Sequence, residues 1–132
     1  VGEYKVTATR FNNLAARSTA RGHEVISGES QELGGDDEGL NPYELILSAL
    51  SSCTIITCQM YANRKTWPLD RTEVECRIAE IVDGKATIER RIKFVGQQLT
   101  DEQRARLLEI ANKCPVHKFL SHVSEIQTTP AV

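Results

Sequence analysis

Four cysteines, at positions 53, 58, 76 and 114, are the residues of this chain best suited to chemistry. An ionised cysteine is a nucleophile, a soft metal ligand and a redox centre, whereas a neutral buried one is a small hydrophobe. Cys53 and Cys58 lie in the apolar run LSALSSCTIITCQMYA, residues 47–62, which reads as a helix. Five residues apart is about 140° around a helix, so the two face different ways and cannot be bridged within a straight helix. Cys58 and Cys76 read as core filling, Cys76 because it falls on the inward face of an alternating strand. Cys114 stands before a proline in KCPVHKF. If Pro115 opens a new turn, Cys114 is its cap and unpaired backbone N–H groups point at the sulfur, which favours a thiolate. A cysteine simply packed at a helix end fits the same residues, and both readings stand open. Cys53 lies mid-helix and needs a cation to ionise; Arg17, Arg21 and Arg90 are the candidates.

Other chemistries find less support. Cys53, Cys114, His117 and His23 could offer soft ligands to zinc, but structural zinc takes closely spaced ligand pairs and only Cys114 with His117 has that spacing. The chain has no serine-hydrolase elbow, no phosphate-binding glycine loop and no HExxH motif. Neither a metal nor a cofactor is expected.

The elements that must position these residues can be read from periodicity and caps. EYKVTAT alternates as a strand, Arg10 to Asn13 reads as a turn, and residues 14–27 hold one or two short strands. GESQELGGDDEGLN, residues 28–41, carries four glycines and a cluster of acids and reads as a long loop. Asn41 is a suitable N-cap, Pro42 suits the first helical position, and Glu44 completes a capping box. The helix that follows should run some 20 residues and stop before Trp67-Pro68. Its apolar residues cover most of its surface, so it should be buried on all sides, partly by a second copy of the chain. Glu73 to Glu80, with Val74, Cys76 and Ile78 inward, and Ala86 to Val95 should form a hairpin turning at Asp83-Gly84. Arg90 falls on the apolar face of the return strand and must snorkel, pair or reach a site. Thr100 and Gln103 form a second capping box, ahead of a helix whose inner face carries Leu107, Ala111 and Cys114. One more turn over Val116 to Leu120 and a closing strand over His122 to Thr129 complete an α+β chain.

Composition narrows the function classes. The 132 residues suit one compact domain. A net charge of −2 argues against a nucleic-acid surface. No unbroken run of 18 apolar residues occurs, so a membrane span is not expected. The N-terminal VGEYKVTATR lacks the layout of a signal peptide. Four cysteines are too few for a disulfide scaffold, and a cytoplasmic protein with free thiols is the simplest reading.

Two segments together carry a family likeness. NPYELILSALSSC, followed at long range by CPVHK, resembles the OsmC/Ohr family of thiol peroxidases. MYANRKTWPL and LTDEQRARLLEIANKCPVHKFL resemble its general OsmC-like branch, and the likeness covers essentially the whole of residues 1–132 as one OsmC-like domain. The resemblance implies an intertwined homodimer with long central helices packed between antiparallel sheets. It implies a hydroperoxide reductase that prefers organic hydroperoxides and is reset by an external dithiol. By position, Cys53 matches the attacking cysteine and Cys114 the resolving one. An arginine ahead of the helix, Arg21 or Arg17, matches the activating cation. The carboxylate that orients this arginine in the family directly follows the helix-starting proline. Here that position is Tyr43, and Glu44 comes one residue later, so Glu44 is the candidate replacement. His117 also departs from the small polar residue common in peroxidase members. These departures sustain an alternative: a dimeric OsmC-like binding or scaffold protein that holds a small apolar molecule and turns over little peroxide.

Overall fold

A computed structural model describes residues 3–122 and 125–131. The chain divides into two compact units, residues 1–47 and 48–132. One long helix, α1 (Pro42–Lys65), begins in the first and continues through the second.

The first unit is a three-stranded antiparallel sheet of β1 (Thr7–Asn12), β2 (Ala15–Ala20) and β3 (His23–Gly28), in that order. The turn expected over Arg10 to Asn13 is corrected here. The strand runs on through Phe11 and Asn12, the register shifts between Arg10 and Asn12, and Asn13 makes the bend at a positive φ of 39°. A bulge absorbs one residue while pairing continues, which the polar sequence did not signal. Arg21 and Gly22 join β2 to β3 with φ of 51° and 83°, the left-handed pair that a two-residue hairpin requires.

The acidic, glycine-rich segment is more ordered than a long loop need be. It contains a short 3-10 turn, Gln31–Leu33. Backbone bonds Gly28 N–Leu40 O and Asp37 N–Glu29 O hold it to itself. A side chain on Gly35 would collide with the carbonyl of Glu29, and one on Gly39 with that of Ile26, so these glycines permit close backbone approach. The segment hands over to α1 through the expected box: Asn41 Oδ1 accepts from Glu44 N at 2.8 Å and Glu44 Oε1 from Asn41 N at 2.9 Å.

In the second unit α1 reaches Lys65 and stops at Thr66, whose φ is 58°. The hairpin pairs β4 (Arg71–Val82) with β5 (Lys85–Val95), turning at Asp83 (φ 52°) and Gly84 (φ 76°) as expected. Helix α2 (Asp101–Ala111) starts at the Thr100–Gln103 capping box. Arg104 ties it to the hairpin end, donating to Leu99 O at 2.6 Å, Gly96 O at 3.0 Å and Phe94 O at 3.3 Å. Helix α3 (Pro115–Leu120) follows at once. The core gathers Cys58 and Ala62 of α1, Leu69, Phe94 of β5, Leu99, and Leu107, Ile110 and Ala111 of α2.

Within one chain helix α1 is covered on one side only, as expected of a helix that needs a second copy: its buried residues are Leu50, Thr54, Cys58 and Ala62, a single stripe at four-residue spacing. Ile46, Ile56 and Met60 stay 44%, 56% and 68% exposed. No strand forms over residues 125–131, where Ile126 is exposed and finds no sheet to pack on; Val123 and Ser124, also in the expected closing strand, lie outside the described residues. Finally, α1 has 24 residues and a mean hydropathy of 1.5 over its most apolar stretch, so by length and composition alone it could cross a bilayer.

Candidate functional site

The α1 stripe, the inner face of β5 and the α2–α3 junction meet around one guanidinium. Arg90 sits on the inward-alternating face of β5, opposite Cys76 of β4. Its Nη1 donates to Thr54 Oγ1 at 3.0 Å and points at Cys114 Sγ at 4.0 Å. Its Nη2 donates to Asn112 Oδ1 at 3.0 Å and to His117 Nδ1 at 2.9 Å. Every one of these partners is uncharged or a thiol. Among the described residues no carboxylate pairs with Arg90, although Arg17, Arg71, Arg77, Arg104 and Arg106 each have one. A guanidinium keeps its charge in proteins and has five donors in a fixed fork, so this one is held in a plane with its positive charge uncompensated.

Cys114 is fully buried and caps α3. Its sulfur accepts from His117 N at 3.3 Å, so the cap, one of the two readings left open for Cys-Pro, is formed, with Pro115 in the first turn. The sulfur thus faces two N–H groups, one from the backbone of α3 and one from Arg90. Burial and the Arg90 charge both push the His117 pKa down, in that order of size. Arg90 can only donate, so Nδ1 accepts and the neutral ring carries its proton on Nε2.

Cys53 follows a different pattern. It is half-buried, one residue before Thr54, and its sulfur lies 3.9 Å from Thr57 Oγ1. Thr54 is fully buried and donates to Leu50 O at 2.7 Å while accepting from Arg90, so it fixes this turn of α1 to the Arg90 cluster. Cys58 is the core filler expected of it. Its thiol is fully buried beside Leu107 O at 3.5 Å, and its pKa is pushed up to about 11, chiefly by burial. Cys76 is half-buried and accepts from Ser51 Oγ at 3.3 Å.

The remaining candidates lie in the first unit. Arg17 is stacked over Phe11 at 4.5 Å and paired with Glu24 at 3.3 Å. Arg21 occupies the β2–β3 turn. Glu44 has its carboxylate engaged with the Asn41 backbone. The structure therefore brings Cys114 together with Arg90, His117, Thr54 and Asn112. Thr54 and Asn112 were not anticipated; a threonine next to Cys53 in an apolar run, facing a strand with an inward arginine, was the available signal.

The profile of the family described as OsmC-like protein matches residues 35–129. The chain belongs to the OsmC/Ohr family. A comparison with curated proteins found no match. Solved OsmC-like folds overlay well despite low identity. An OsmC-like protein of Mycoplasma pneumoniae superposes with a TM-score of 0.76 at 15% identity, over 92% of this chain and 89% of the other. An organic hydroperoxide resistance protein OsmC of Legionella pneumophila gives 0.67 at 16% identity, over 91% of each chain. An organic hydroperoxide resistance protein of Elizabethkingia anophelis, with thiocyanate bound, gives 0.64 at 22% identity, over 89% of each. At these identities the likeness is one of fold. The fold class is α+β, with a long helix and antiparallel sheets, as this family implies.

Proposed function

We propose that this OsmC/Ohr protein is a two-cysteine hydroperoxide reductase, with residues 1–132 acting as one domain within a homodimer. The observation that carries the reading is the Arg90 fork. It joins Thr54, the neighbour of Cys53, to the cap that holds Cys114. Cys53 is the more exposed of these two cysteines and suits first contact with peroxide; Cys114 is buried and suits a second, internal step.

The thiolate of Cys53 attacks one peroxide oxygen, the O–O bond breaks, and the alcohol leaves after taking a proton. The Cys114 thiol then attacks the Cys53 sulfenic acid, forming the disulfide and releasing water. An external dithiol returns both to thiols. The family resemblance brings Arg17 or Arg21, with Glu44, into this proposal as the cation and carboxylate serving Cys53. The apolar side chains of α1 favour an organic hydroperoxide over hydrogen peroxide. A cytoplasmic setting, where a dithiol reductant is at hand, fits this cycle.

Treating the reduced protein with one equivalent of an organic hydroperoxide should convert two thiols to a 53–114 disulfide, read by peptide mass spectrometry. Cys114→Ser should instead stop at a sulfenic acid on Cys53. Finding neither species sinks the reading. One observation favours the alternative, a small-molecule binder with little turnover: Glu44 is already engaged as a capping residue. Saturable binding of an apolar ligand, with no thiol loss under peroxide, is the outcome that reading requires.

A further inference from the structure

We propose that Arg90 is the catalytic cation of the resolving half-reaction, acting on Cys114 separately from whichever arginine serves Cys53. This rests on the two-cysteine reading above. When Cys114 attacks the Cys53 sulfenic acid, a sulfur–sulfur bond forms and the S–O bond of Cys53 breaks. The hydroxide that leaves combines with the Cys114 thiol proton as water, so no further oxidant or reductant is needed.

Negative charge must pass through the Cys114 sulfur as its proton leaves. At that sulfur stand Arg90 Nη1, at 4.0 Å, and His117 N, at 3.3 Å. Donors fixed in advance where charge develops are the most effective electrostatic aid a site can offer. Arg90 is fixed by three neutral acceptors, Thr54 Oγ1, Asn112 Oδ1 and His117 Nδ1. None of them neutralises it, so its full charge acts on the thiol. Two of the three lie within three residues of Cys114, and the third belongs to the turn after Cys53. Arg90 is therefore tied to both reacting segments.

The experiment separates the two half-reactions in the protein as it stands. Wild type, Arg90→Gln and Arg90→Lys are given one equivalent of an organic hydroperoxide with a sulfenic-acid trapping reagent present. Trapped Cys53 and the 53–114 disulfide are then followed by mass spectrometry. In Arg90→Gln, Cys53 should still oxidise, while disulfide formation slows by about 10²-fold, the lower end of the range for losing one preorganised donor, and trapped sulfenic acid accumulates. Arg90→Lys keeps a charge but cannot reach Thr54, Asn112 and His117 at once, and should slow the same step to a smaller extent. A structural role alone would change both half-reactions together or neither. If Arg90→Gln does not fold, as judged by circular dichroism, Arg90→Lys decides: a disulfide rate equal to wild type overturns the proposal. So does an unchanged rate in folded Arg90→Gln, and that result leaves the peroxidase reading standing. A wild type that forms neither sulfenic acid nor disulfide overturns both.

Discussion

His117 Nδ1 accepts a hydrogen bond from Arg90 Nη2 at 2.9 Å. The bond exists only while the ring is neutral, because a protonated ring has no acceptor left and would face a second cation. Burial and Arg90 both hold its pKa below the ordinary value. The α2–α3 junction is thus built around an uncharged histidine.

A pH dependence of stability follows, and its sign is fixed. The unfolded chain takes up the His117 proton at a higher pH than the folded chain does. Between the two values the unfolded state binds more protons, so stability rises with pH. The contribution is fully present above the free-histidine value of roughly 6.5 and is lost as pH falls below it. Urea midpoints measured from about pH 7.5 to about pH 5 should fall more steeply for wild type than for His117→Gln. Parallel curves would mean that His117 takes its proton equally well in the fold.

Thr54→Val tests the anchor under Arg90. Valine keeps the shape of the buried threonine but removes both the acceptor for Nη1 and the bond to Leu50 O. A hydrogen bond to a charged group contributes about 1.5–3 kcal/mol. The expected outcome is a lower denaturant midpoint at unchanged slope. A loss under about 0.5 kcal/mol would mean that water replaces the hydroxyl at Arg90.

How far the sequence could be read depended on the range of each signal. Both capping boxes and the Asp83-Gly84 turn were legible, because their chemistry lies within four residues; the Cys114 cap was one of two readings that the residues around Pro115 allow. Arg90 was visible only as an anomaly, a charge on an apolar strand face. Its partners come from α1 and from the α2–α3 junction, and nothing local to residue 90 names Thr54, Asn112 or His117. The alternation from His122 to Thr129 looked like a strand, yet period-two alternation states only that one face wants cover. Residues 125–131 have no neighbouring strand among the described residues to supply it. The same logic applies to α1, whose apolar residues outnumber the places one chain offers them.

Cys58 should be chemically silent. Its thiol is fully buried and its pKa is raised from 9.0 to about 11. In the unfolded chain it ionises at the lower value, so its contribution to stability is present below about pH 9 and is lost as pH rises towards 11. Alkylation of the native reduced protein near neutral pH should label Cys53 ahead of Cys58 and Cys114, the two fully buried sulfurs. Peptide mapping checks this; labelling of Cys58 at the Cys53 rate would show that the core around Leu107 opens readily.

The exposed side of α1 leads to the last prediction. Ile56 and Met60 are 56% and 68% exposed in the single chain. Covering one such side chain is worth about 1.5–3 kcal/mol. Several together approach the whole stability of a small domain, about 5–15 kcal/mol. A homodimer that covers this side of α1 would therefore couple folding to association. The thermal midpoint should then rise with protein concentration, since mass action favours the associated state. Ile56→Asp should lower it, because the substitution places an unpaired charge where apolar cover is needed. The residue lies outside the buried stripe of Leu50, Thr54, Cys58 and Ala62, so the change leaves the core of the single chain in place. Sedimentation equilibrium decides the matter: wild type should be a dimer and Ile56→Asp should shift towards monomer. A folded wild-type monomer at micromolar concentration, with a midpoint independent of concentration, would leave α1 stable with its apolar side in water and the homodimer reading refuted.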